Sequence, residues 1–97
     1  MFSGVVSKRS ERVVASANII NADADILVIT GSVVIKTILA KTGGIASQEV
    51  TLIPLAAGLA TDATGNIAVA VALVQNRAQK LTWSDSQSKW YPAIAAV

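Results

Sequence analysis

Two β-branched runs, ILVIT at 26–30 and SVVIKTILAK at 32–41, set the strongest limit on what this chain can fold into. Val, Ile and Thr lose side-chain freedom in a helix and sit well on a pleated surface, so both runs predict strands. Gly31 closes the first, and Thr42-Gly43-Gly44 closes the second. The preceding NADAD, 21–25, predicts a turn, because Asn and Asp side chains bond to nearby backbone N–H groups. Beyond the glycines, SQEVTLIPL at 47–55 predicts a half-buried strand with Val50 and Leu52 on one face. Pro54 has no N–H to give a ladder and belongs at a strand edge or end. The small residues of AAGLATDATGN, 56–66, predict a loop.

GNIAVAVALVQN, 65–76, alternates bulky and small apolar residues. As a helix it would be apolar all round, and Val and Ile form helices poorly, so a strand is expected. That strand places Ile67, Val69, Val71 and Leu73 on one side, with Ala68, Ala70 and Ala72 on a face that another backbone layer or subunit could approach closely. LTWSDSQSKWYP at 81–92 reads as a hairpin, 81–91, with SDSQS as its turn. Its Trp83, Trp90 and Tyr91 are three of four aromatic residues in the chain, and they serve either as interface anchors or as core plugs. The tail PAIAAV, with Ile94 and Val97, is apolar throughout and suggests docking on a neighbour. Residues 1–17 are Ser-rich and basic, an extended arm whose Val5-Val6 and Val13-Val14 pairs could dock, or else a frayed end.

The expected fold is therefore all-β: a single small antiparallel β-sandwich or barrel-like domain over 18–97, with an N-terminal arm over 1–17 and a C-terminal tail over 92–97. At 97 residues there is room for one domain, which buries about 60–65% of the surface its unfolded chain exposes. Yet 53% of the residues are apolar and 14% charged, against about 25% charged for an average soluble protein. A lone monomer of this composition leaves apolar patches in water, so a homo-oligomer is expected.

The chain has neither cysteine nor histidine, which removes disulfides, thiolate metal sites and the commonest general base. Asp23 and Asp25 superficially match the start of a calcium loop, but Val28 and Val34 stand where its Gly and Glu belong. Gly65 is followed by Asn66 and Ile67, which rules out a phosphate loop, and no Ser sits in a nucleophile elbow. No enzyme activity, cofactor or metal is expected. A net charge of +2, with only Lys80, Trp83, Lys89 and Trp90 approaching a stacking platform, does not make a nucleic-acid binder. No secretion signal is expected, and the longest apolar run, IAVAVALV, is too short to cross a bilayer as a helix.

The run ILVITGSVVIKTILAKTGGIASQEVTLIPLAAGLATDATGNIAVA resembles small tailed-bacteriophage virion structural proteins, of the type that decorate or cement a capsid. The resemblance spans roughly residues 20–75. It implies a β-rich body on the capsid surface, a major capsid protein as partner, no membrane, and a symmetric oligomer, often a trimer. On that expectation Val5, Val6, Val13, Val14, Trp83, Trp90, Tyr91, Ile94 and Val97 form the interface. The alternatives are a tail or head-fibre adaptor, or a carbohydrate-binding β-sandwich that stacks sugars on Trp83, Trp90 and Tyr91.

Overall fold

The computed structural model describes residues 11–39 and 49–93, all strand, bridge and loop. Seven strands are named: β1 Glu11–Ala15, β2 Ile19–Asn21, β3 Ile26–Thr30, β4 Thr37–Leu39, β5 Glu49–Pro54, β6 Gln79–Ser84 and β7 Lys89–Pro92. They form a five-stranded sheet in the order β1-β3-β5-β6-β7, and β2 pairs with β4 in a second layer. The fold is all-β, two-layered and sandwich-like.

The expected antiparallel sense is corrected by the register. β1, β3 and β5 are mutually parallel, as are β2 and β4; only β6 and β7 run antiparallel to their neighbours. A parallel pair cannot be joined by a tight turn, and its crossover is usually a helix. Here residues 16–25 carry the chain from β1 to β3 by way of β2 in the opposite layer, and residues 31–48 carry it from β3 to β5 by way of β4. The first half of the molecule is thus a flattened coil that alternates between layers. Ile35 continues the second layer through a parallel bridge to Thr61, and Ala60 bridges antiparallel to Ala72.

The inward face of the large sheet supplies Leu27, Ile29, Val50, Leu52, Leu81 and Trp90; the second layer answers with Ile20, Ile35, Ile38, Leu59, Ile67 and Leu73. Ala22 and Ala24 are buried in the corner between β2 and β3, where larger side chains would hold the layers apart. Gly31, at φ +79°, lets the chain leave β3 at an angle that an L side chain resists, beside the Ser16 hydroxyl that accepts the Val33 N–H at 2.9 Å.

Strands β3 and β5 and the β6–β7 hairpin fall where the sequence predicts them. Pro54 ends β5. The run from Ser32 is strand only at Thr37–Leu39 within its described part. The strand expected over 65–76 is not formed. That segment is irregular, tied through the Ile67–Trp90 bridge at one end and by Leu73 N–H to the Leu59 carbonyl, 2.9 Å, at the other. The Thr61 hydroxyl takes the Val71 N–H at 2.9 Å, a side-chain substitute for ladder pairing. Ile67 and Leu73 face the core, but Val69 is exposed, so no continuous bulky face exists. Of the expected arm, Glu11–Ala15 is the edge strand of the sheet; residues 1–10 lie outside the described ones.

In the loop before this segment, Asp62 accepts the Thr64 N–H at 2.8 Å. Hydrogen bonds from the Thr64 side chain, and then from its backbone, hold the Asp62 carboxyl below the usual aspartate range. A carboxylate with a depressed folded value stabilises the fold above its unfolded value and loses that contribution as pH falls through the folded one. An NMR titration should place the Asp62 midpoint below those of ordinary aspartates, and Thr64→Val should move it upward.

Candidate interaction surface

Pairing register assigns the outer face of the large sheet row by row. Val13, Val28 and Ile53 lie side by side across β1, β3 and β5. The next row runs Glu11, Ile26, Thr51, Lys80. Three adjacent β-branched apolar side chains form a stripe on the face turned away from the described second layer; its outermost member, Val13, is 67% exposed, while Val28 and Ile53 are part-buried. Beside the stripe, Asp25, Ile26, Glu49, Thr51 and Lys80 line a shallow depression of about 320 Å³. Lys80 Nζ meets Glu49 Oε1 there at 3.2 Å, with both side chains about half exposed. Such a surface pair contributes roughly 0–1 kcal/mol. Among the described residues no group of three or more His, Cys, Asp or Glu could hold a metal ion.

The two layers end differently at their two sides. Beyond β7, the chain itself closes the sheet: the Trp90 backbone N–H donates to the Asn66 carbonyl at 2.8 Å, and the Trp90 carbonyl accepts from the Ala68 N–H at 2.9 Å. The Asn66 side chain closes the second layer in the same place, taking the Ile38 N–H at 2.9 Å and donating to the Ile38 carbonyl at 2.7 Å. A single amide therefore does the work of a neighbouring strand. At the opposite side, β1 and β2 are both edge strands, and no described residue pairs with their outer sides. Between them lies a groove of about 230 Å³ walled by Arg12, Val14, Ile19, Ile20 and Asp23. Ile19 is 60% exposed, and the Arg12–Asp23 ion pair at 2.9 Å spans the groove's rim in solvent. Unpaired edges with apolar flanks are templates for another strand.

The expected interface residues divide sharply. Val13 is on the open stripe, whereas Val14 points inward and packs against the core. Trp90 is a core residue and not an interface anchor: it is 0% exposed, and its indole N–H donates to the Ile38 carbonyl at 2.9 Å. Trp83 is half-buried beside it, edge-on at 5.3 Å between ring centroids, with its N–H on Asp85 at 2.8 Å. Tyr91 lies one residue from Trp90 and so faces the other side of the sheet, exposed. The hairpin brings the two tryptophans together and separates Tyr91 from them, leaving no three-ring platform for a sugar. Val5, Val6, Ile94 and Val97 lie outside the described residues.

Ile19 is the exposed residue that sequence reasoning missed. The signal was an apolar doublet: in a strand with one buried face, adjacent apolar residues cannot both point inward. Ile19-Ile20 and Val13-Val14 each split one outward and one inward.

No family model and no curated protein matches the sequence. Among solved structures, a chain from "Structure of a chaperone-substrate complex" is similar with a TM-score of 0.50 at 16% identity, over 73% of this chain and 13% of that one. This chain thus spans a small part of the protein it matches, and the likeness is one of fold alone.

Proposed function

We propose that this protein is a non-enzymatic virion structural protein that decorates or cements a tailed-phage head, lying on the capsid surface and bridging major capsid protein subunits. The single observation that carries the proposal is the apolar stripe Val13, Val28, Ile53 running to a sheet edge, β1, that no other described strand pairs, beside exposed Ile19. Buried apolar area contributes about 25 cal/mol per Å² before the costs of association, and a capsid lattice repeats a modest contact many times. Such a role needs neither a reactive group nor a cofactor, and it is fulfilled by a homo-oligomer, with a trimer favoured. A fibre-adaptor role would draw on the same surface. A sugar-binding role would need Trp90 in the open, where it is not.

The purified chain should co-sediment with heads assembled from the major capsid protein of its own phage, saturating at a fixed ratio. Val13→Asp should reduce apparent affinity roughly tenfold or more, the order expected when a buried apolar contact becomes a charge. Heads that pellet without the chain at micromolar concentration would remove the capsid as its partner.

A further inference from the structure

Residues 62–70 leave the second layer and return to it at the same place. The neck of this loop is zipped: the Thr61 N–H donates to the Val71 carbonyl at 2.9 Å, the Val71 N–H donates back to the Thr61 hydroxyl at 2.9 Å, and the Leu73 N–H meets the Leu59 carbonyl, also at 2.9 Å. The neck is held in turn to the rest of the layer, by the Ile35 N–H on the Ala60 carbonyl at 3.0 Å and the Asp62 N–H on the Ile35 carbonyl at 2.9 Å. A surface loop with joined ends can move at its tip without unzipping its base. At the tip, the Asn66 carboxamide takes both backbone groups of Ile38 in β4, and the backbone of 66–68 bridges Trp90 in β7. We propose that 62–70 is a lid hinged at the Thr61–Val71 neck and latched by the Asn66 side chain, and that it lifts as a unit from β4 and β7 while the large sheet stays folded.

Local opening costs least where a segment has few buried apolar contacts. Ile67 is the one buried side chain of the loop, whereas Ala63, Thr64, Val69 and Ala70 are exposed. Of the core cluster, Ile67 alone would leave with the lid; Leu59 and Leu73 belong to the neck, and Leu27, Ile29, Val50, Leu52 and Leu81 to the large sheet. The latch acts beyond its own bonds. Without the carboxamide the loop spends more time lifted, so the bonds of the Trp90 N–H to the Asn66 carbonyl and of the Ala68 N–H to the Trp90 carbonyl open more often too. Lifting bares in one movement the Ile38 side of β4 and the side of β7 that 66–68 occupies, with the Trp90 ring between them. The inference does not depend on the capsid role.

Hydrogen exchange of the full chain tests it. The Ile38, Ala68 and Trp90 amides, from three separate segments, should share one opening equilibrium, at least about tenfold more populated than that of the Thr61 and Leu73 neck amides and of the β3 and β5 amides. Asn66→Ala should quicken Ala68 and Trp90 at least about tenfold, although both make backbone bonds that the substitution leaves in place, and should spare the neck and β3. A carboxamide that only pads Ile38 would quicken Ile38 alone. A second variant locks the lid and keeps the question decidable if Asn66→Ala does not fold. Ala68 and Tyr91 stand one position beyond the Ile67–Trp90 bridge, where parallel neighbours lie about 4.8 Å apart, within disulfide reach. The chain has no cysteine of its own, so oxidised Ala68→Cys with Tyr91→Cys reports without background. Its Ile38 amide, which carries no substitution, should exchange at least about tenfold more slowly than in the reduced form. Three results would each overturn the proposal: Ile38, Ala68 and Trp90 amides that exchange only when the whole molecule unfolds, Ala68 and Trp90 rates unmoved by Asn66→Ala, or an Ile38 rate indifferent to the lock.

Discussion

Replacing Trp90 with alanine is expected to cost about 3–5 kcal/mol and to lower the melting temperature by tens of degrees. The side chain is wholly buried, and its removal leaves a hole that strands on two sides cannot close, because backbone bonds hold each of them. The edge-on contact with Trp83 is lost as well, a further contribution of about 0.5–1.5 kcal/mol. The Ile38 carbonyl loses the indole N–H but keeps the Asn66 amide, so the damage comes chiefly from packing. Against a total stability of about 5–15 kcal/mol for a domain of this kind, the variant is poised near unfolding. Tyr91→Ala, one position away on the outer face, should change stability by no more than about 0.5 kcal/mol. Urea titrations of the two variants side by side decide the matter: comparable losses would mean that Trp90 does not plug the core.

Gly65→Ala is expected to be almost as damaging, on the order of 3 kcal/mol, although it adds a single methyl group. A Cβ at this position would overlap the Lys36 carbonyl oxygen and the Thr37 hydroxyl. Those atoms cannot retreat freely, since the N–H groups of Lys36 and Thr37 both bond to the Asn18 carbonyl at 2.9 Å. The 65–66 segment has to move instead, and with it the Asn66 amide that seals Ile38. Thermal denaturation followed by far-ultraviolet circular dichroism measures the loss. A melting point unchanged within a degree or two would show that 65–66 does not press on β4.

The all-β class was legible because β-branched runs a few residues long, punctuated by Gly31 and the Asn/Asp turn at 21–25, leave a helix no length in which to form. The direction of the strands was not. An apolar pattern such as that of Val50, Leu52 and Pro54 says which face is buried, and it is the same whether the neighbouring strand runs with it or against it. The segment 65–76 was misleading for another reason. Its alternation is that of a strand, but the Thr61 hydroxyl and the close approach of Gly65 to Lys36 compete for the backbone, and neither is visible in a local pattern. The same limit applied at the hairpin, where Trp90 and Tyr91 are adjacent large aromatics and only the facing layer determines which goes in. The exposed Ile19 could have been anticipated from the isoleucine doublet, whereas the sealing of the far side by the Asn66 side chain has no sequence signature.

The hydrogen bond from Trp90 to the Ile38 carbonyl joins residues 52 positions apart, and it has a bearing on how the chain is made. On a ribosome adding about 5–20 residues each second, β1 to β5 emerge well before the β6–β7 hairpin that completes their sheet. For those seconds the large sheet lacks two of its five strands and the core lacks Trp90, and non-local parallel pairing is slow to form in any case. Newly made molecules are therefore most vulnerable to sticking together before the β6–β7 hairpin arrives, a hazard that ends when the indole ring drops into place.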